Sequence, residues 1–309
     1  MGKAVFKGIY LMKLIMAYVV VSIHTTDWTM MGLTETAVPY FFLASGFFLF
    51  KKLDGTREDD LRTILRWIGK VLKLYLIWTA IYLPFTVIGF MRDGLSMQTA
   101  FAVFVRNLIL VGENYLSWPL WYLLAMIWSG VLIYVMRWIR IPVWGIFLAG
   151  ITLFLLPGLF HLGEVPAFKV LFKTEDNGIF CSLMYLTAGG LLWQWTRRAS
   201  RVGMPLLWDL LLIGISLVGL QFSRYCILPL AAGVFLLSYH IDLPWLAEQT
   251  AIRLGGMSKY IYLTHMIFAG LAILLLKTES GFVFWLLVAI ASTLLSLVLT
   301  RQKHIADRL

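Results

Sequence analysis

Apolar residues run along this chain in long blocks broken by short polar stretches, and they do not alternate with polar ones. A helix needs about 20 mostly apolar residues to cross the hydrocarbon core of a bilayer. The blocks predict ten spanning helices, over about 9–31, 36–50, 68–90, 117–136, 142–161, 179–196, 204–222, 225–240, 258–277 and 281–300. The second and eighth are short. The stretch 99–112 is apolar but contains Arg106, which predicts a segment lying along the membrane surface or re-entering it. The runs lack the period-two pattern of a membrane barrel. The expected fold is all-α: a polytopic integral membrane protein forming a single transmembrane domain over 1–309. The longest connections on one side, near 91–116 and 162–178, are the candidate lids.

Composition supports that reading. Apolar residues make up 61% of the 309 and charged ones 14%, against roughly 25% charged in a soluble domain. The partner this surface calls for is a lipid bilayer. The net charge of +10 would suggest nucleic acid on a soluble domain. Here the charge is sorted between loops, so no nucleic acid is expected. Of the 26 Lys and Arg, Arg92, Arg106, Lys169, Lys173, Arg224 and Lys277 lie on one side, Lys13 lies inside the first helix, and the other 19 lie with the termini. The positive-inside rule places both termini in the cytoplasm of a multi-pass cell-membrane protein. Lys3 and Lys7 followed by an apolar run resemble a signal peptide. That run carries Lys13 and has no small-residue cleavage site before His24, which predicts a retained first helix. Cys181 and Cys226 suggest neither a disulfide framework nor a zinc site. Walker, Rossmann and HExxH patterns are missing, and no metal is expected.

Ionisable groups inside spanning helices are costly and point to function. Lys13 and His24 are eleven positions apart, which returns a helix to within about 20° of the same face, roughly 16 Å further along. Asp27 follows at i+3, within reach of His24. Together they form one wall of a polar path. His24 suits a general base with Asp27 fixing its tautomer, and Lys13 suits an anion. Alternatively, His24 and Asp27 sit at the water interface and Lys13 snorkels to headgroups. His265, in Tyr262-Leu263-Thr264-His265, is either a site residue or a packed histidine. Ser45-Gly46 reads as close helix packing, and Trp121-Tyr122 as an aromatic belt. Arg224, in a tight turn, is a carboxylate ligand or a plain turn charge.

Four motifs in order resemble the acyltransferase-3 family of membrane proteins. That family carries Arg-x10-His in its first helix, where this chain has Lys13-x10-His24. The family's Phe-Phe-x-x-Ser-Gly is matched by Phe41-Phe42-Leu43-Ala44-Ser45-Gly46, its Leu-Trp-Tyr/Phe-Leu by Leu120-Trp121-Tyr122-Leu123, and its late Tyr-Leu-x-His by Tyr262-Leu263-Thr264-His265. Lys7-Gly8-Ile9, Asn177-Gly178-Ile179-Phe180 and Arg301-Gln302-Lys303-His304 are similar to the membrane half of vancomycin-resistance serine racemases, which adds Asn177 to the candidate residues.

The resemblance implies catalytic roles for His24 and Asp27. It implies substrate contacts for Lys13, Ser45, Trp121, Tyr122, Asn177, Arg224 and His265. In the racemase branch, the membrane module is thought to help bring L-serine to a fused or associated cytoplasmic racemase domain, and PLP would belong to that domain only. The alternative is an O-acyltransferase moving an acyl group from cytoplasmic acyl-CoA to an acceptor outside. A third reading is a membrane anchor for a racemase. Lys13 in place of Arg offers a point charge instead of a planar two-pronged donor, which counts against acyl-CoA and is neutral toward serine. The charge asymmetry itself is testable. In sealed cells, a cysteine placed at Gly163 should react with an impermeant maleimide, and one placed near the C-terminus should react only after permeabilisation. Equal reactivity at both would contradict ten crossings.

Overall fold

In hydrocarbon each backbone N–H and C=O must find its partner within the protein, and this chain answers with helices throughout. The computed structural model describes residues 5–27, 33–174, 177–198, 205–276 and 280–301. Among them are twelve α-helices. They are α1 (Lys7–Thr25), α2 (Leu33–Phe50), α3 (Arg57–Arg92), α4 (Met97–Arg106), α5 (Leu120–Trp138), α6 (Val143–Leu159), α7 (Pro166–Phe172), α8 (Gly178–Arg198), α9 (Pro205–Leu220), α10 (Ile227–His240), α11 (Glu248–Leu276) and α12 (Phe282–Arg301). All ten predicted helices are present, and α4 and α7 are short additions. Five helices, α1, α3, α5, α11 and α12, are long and apolar enough to cross a membrane; α2, α6 and α9 are shorter apolar helices.

Three boundaries differ from the sequence reading by more than a turn of helix. α1 stops at Thr25, because Thr26 takes an extended backbone with φ −135° and ψ 155°. Positions 28–31 of the predicted first helix lie outside the described residues, as do Lys3, Lys277 and the stretch 302–304. α3 begins at Arg57 and runs 36 residues, about 54 Å of helix. Its first turns are charged, so periodicity of apolar positions could not reveal them. The helix starts there because the Thr56 side chain accepts from the Asp59 N–H, and Glu58, Asp59 and Asp60 fill the first turn, where acidic groups favour the helix dipole. α11 likewise starts at Glu248, ahead of the apolar block.

The segment around Arg106 is irregular, as its charge suggested. After α4 the chain makes a π-helical turn over Asn107–Val111, ended by Gly112 at φ +84°. Arg106 donates to the Val170 carbonyl at 2.8 Å and to Asn107 Oδ1 at 2.9 Å.

Internal packing divides the expected single domain into two units, Met1–Ala44 with Ala199–Leu309, and Ser45–Arg198. In the first, α11 packs on α1 and α12, α9 on α10, and α1 also meets α10 and α12. Tyr40, fully buried, hydrogen-bonds Ser238 Oγ at 2.9 Å. In the second unit α6 packs on α8, α3 on α5 and α5 on α8. The Ser129 and Ser182 hydroxyls meet at 2.6 Å between α5 and α8.

Gly46 explains half of the Ser45-Gly46 pair. A Cβ there would collide with the backbone carbonyl of Leu186, so α2 and α8 approach as small residues permit. Gly69 on α3 has nothing within 4 Å of such a Cβ. Gly46→Ala should therefore lower the thermal midpoint of the detergent-solubilised protein, reflecting about 1–3 kcal/mol of overpacking. Gly69→Ala should leave it unchanged or raise it. Equal midpoints for Gly46→Ala and the parent would contradict the close approach.

Candidate functional site

α1 places its polar stripe by helical geometry. Its buried residues include Ala17, Val20 and Val21, and Lys13 and His24 fall on the same face as Ala17 and Val20. Both are half-buried. The face that carries the two ionisable groups is the face that packs.

The stripe meets α11 at a second histidine. The rings of His24 and His265 stack with centroids 5.3 Å apart and planes 25° apart. His265 is 0% exposed. Its Nδ1 lies 2.7 Å from the Tyr262 carbonyl. A carbonyl only accepts, so Nδ1 carries the hydrogen. In the neutral ring Nε2 then presents a lone pair, and Nε2 is a buried nitrogen without a hydrogen-bond partner. Orphaned buried polar atoms are rare in folded proteins. An anchored imidazole with a bare basic nitrogen is a proton acceptor held in position. The sequence singled out each histidine but could not pair them, because they stand on helices 241 residues apart.

Tyr262 sits beside this pair, its ring 6.1 Å from that of His265 and 5.8 Å from that of Phe41. At the other end of the stripe, Lys13 stands half-buried on α1, which packs on α11. Lys259 of α11 lies over the Tyr260 ring at 4.3 Å. Lys13 has no ion pair among the described residues. A half-buried ammonium without an ion pair makes that end attractive to an anion.

Asp27 departs from the expected pairing. The helix has ended by Thr25, so the i+3 rule does not carry the carboxylate back to His24. Asp27 is exposed and accepts instead from the Ser280 hydroxyl at 2.8 Å. The adjoining Gly281 N–H donates to the Thr25 carbonyl at 3.0 Å. Asp27 thus ties the end of α1 to the start of α12, and the tautomer of His265 is fixed by a backbone carbonyl. Arg224 stands exposed on a single 3-10 turn over the Tyr225 ring, 5.8 Å from its centroid, as a turn charge would.

The remaining candidates belong to the second unit. Ser45 and Tyr122 share a hydrogen bond of 3.0 Å. Trp121 is half-buried, and Gly178 faces its ring. Asn177 is buried with both amide donors used: Nδ2 donates to the carbonyls of Leu110 and Phe172, both at 3.0 Å, and Oδ1 accepts from Ile179 N–H at 3.0 Å. Those bonds close the connection before α8. In the sequence, a polar residue opening an apolar block looks the same for either role. Among the described residues no group of three or more His, Cys, Asp or Glu is placed to hold a metal.

Several helices long and apolar enough to span a bilayer point to a multi-pass membrane protein. The chain belongs to the acyltransferase-3 family, whose model, described as an acyltransferase domain, matches residues 6–301. It is also similar to a serine/alanine racemase of Enterococcus gallinarum, at 28% identity over 96% of this chain and 46% of the relative. The chain thus spans about half the length of that relative. No solved structure matches it.

Proposed function

We propose that this chain is a membrane module that binds L-serine at the His24–His265 pair and supplies it to a cytoplasmic racemase domain, as in vancomycin-resistance racemases. The observation that carries the reading is the bare Nε2 of the anchored, buried His265, stacked against His24. A small hydroxy amino acid offers that nitrogen an O–H or an N–H to accept. The relative's name supports the choice of amino acid, since nearly the whole chain aligns with part of a serine/alanine racemase.

Lys13 serves a different point on the same path. About 16 Å of helix axis separates it from His24, too far for one serine to touch both. The carboxylate is drawn toward the Lys13 end as the molecule moves inward, with both termini cytoplasmic. Racemisation belongs to the PLP-bearing domain and to none of these residues.

The same nitrogen supports a second reading. An imidazole held by Nδ1–H with Nε2 unencumbered is arranged as a general base, which would take the proton of an acceptor hydroxyl as it attacks the thioester of acyl-CoA and return it to the sulfur as the C–S bond breaks, giving the acyl ester and free CoA thiol. Lys13 separates the two, because a single ammonium engages one phosphate well and cannot clamp several as a guanidinium can.

Proteoliposomes decide between them. Labelled L-serine should accumulate in vesicles carrying the parent protein, and accumulation should fall to the empty-vesicle level with His265→Phe and with His24→Phe. Asp27→Asn should retain it, since that carboxylate bonds Ser280. Transfer from acetyl-CoA to an acceptor, lost in His265→Phe, with no serine uptake, would establish the acyltransferase instead.

A further inference from the structure

The second unit holds a cavity that neither reading uses. It encloses about 410 Å³ where α2, α5 and α8 end and α6 begins, and its lining includes Arg137, Arg197, Arg198, Asp54, Phe50 and Trp193. Each arginine stands in the last turn of its helix. Arginines there commonly cap the final carbonyls. Here Arg57 does that for α5, donating to the carbonyl of Trp138. The three lining arginines make no backbone hydrogen bond among the described residues.

Their ion pairs leave donors over. Arg137 gives Nη2 to the buried Asp60 at 3.3 Å, and Arg197 gives Nη1 to Asp54 at 2.6 Å. Arg198 has no ion pair among the described residues. A guanidinium has five N–H donors in a fixed fork, so each retains several. Lys51 adds a fourth cation at the edge, its ammonium 5.7 Å from the centre of the Trp193 ring. Against these stand Asp54 and Asp60. Phe50 and Trp193 add apolar lining to the same space.

We propose that this cavity binds a phosphate ester, with Arg197, Arg198 and Arg137 taking the phosphoryl oxygens and Phe50 and Trp193 the adjoining carbon skeleton. Guanidinium forks match phosphate geometry bidentately. Two sources share that chemistry: the headgroup of an anionic phospholipid, and a soluble phosphate ester. Exposed Trp138, Trp144 and Trp195 belong to the same helix ends, and tryptophan gathers at headgroup level, which favours the lipid. Basic recesses between helices at the cytoplasmic face suit such headgroups.

Native mass spectrometry of the full chain, released from detergent with phosphatidylglycerol or phosphatidylcholine, distinguishes the sources. Phosphatidylglycerol should be retained and phosphatidylcholine not. Arg197→Gln/Arg198→Gln should weaken retention about tenfold per arginine, as loss of a charge-assisted hydrogen bond does. Both side chains are more than half exposed or unpaired, so the double variant should keep its parent thermal midpoint. Arg137 is left in place because it neutralises buried Asp60. Binding of sn-glycerol 3-phosphate in lipid-free detergent, lost in the double variant, would support the site with a soluble ligand. Retention of phosphatidylglycerol unchanged by the double substitution, or binding of neither probe, would overturn the proposal. Serine uptake resides in the other unit and reports separately.

Discussion

Lipid cannot hydrogen-bond, and every other feature of this protein is arranged around that deficit. The described helices satisfy the backbone internally, and side-chain hydroxyls turn back onto their own helices. Ser216 donates to Leu212, Thr187 to Leu183 and Thr264 to Tyr260, each across one turn. Asn177 turns its amide onto three backbone groups. Against that economy the orphaned Nε2 of a fully buried histidine is an exception, and an exception of that kind is where a ligand can gain energy.

The ring has been prepared for one role. Donation from Nδ1 to the Tyr262 carbonyl sets the tautomer, and stacking on His24 sets the tilt. What reaches Nε2 must bring its own hydrogen and must be small enough to enter between packed helices. A serine ammonium or hydroxyl meets both conditions, as does an acceptor alcohol. The distinction between binding and acyl transfer therefore lies in whether a thioester can be held nearby, and there the exchange of a guanidinium for the Lys13 ammonium matters.

Much of this was legible in the sequence. Apolar block length located all ten predicted helices, five of which are long and apolar enough to cross a membrane, because lipid imposes that length directly. It missed the first turns of α3 and α11, which carry charge. The eleven-residue spacing put Lys13 and His24 on one face, since helical period is rigid. The i+3 link from His24 to Asp27 failed because it assumed a helix that had already ended at Thr25. The stacking of His24 on His265 was out of reach: it depends on how α1 packs against α11, and one chain's periodicity does not encode which helices meet. The cavity of α2, α5 and α8 was hidden for the same reason, its arginines reading only as cytoplasmic charge.

The account rests on His265 Nε2 being an unprotonated acceptor that receives substrate. Nitrogen-15 solid-state spectra of histidine-labelled protein in bilayers observe that atom directly. The account predicts an imine-type Nε2 resonance for His265, absent in His265→Phe, that shifts when L-serine is added and stays put with glycerol. A protonated Nε2 in the free protein, or a resonance unmoved by saturating L-serine, would contradict it.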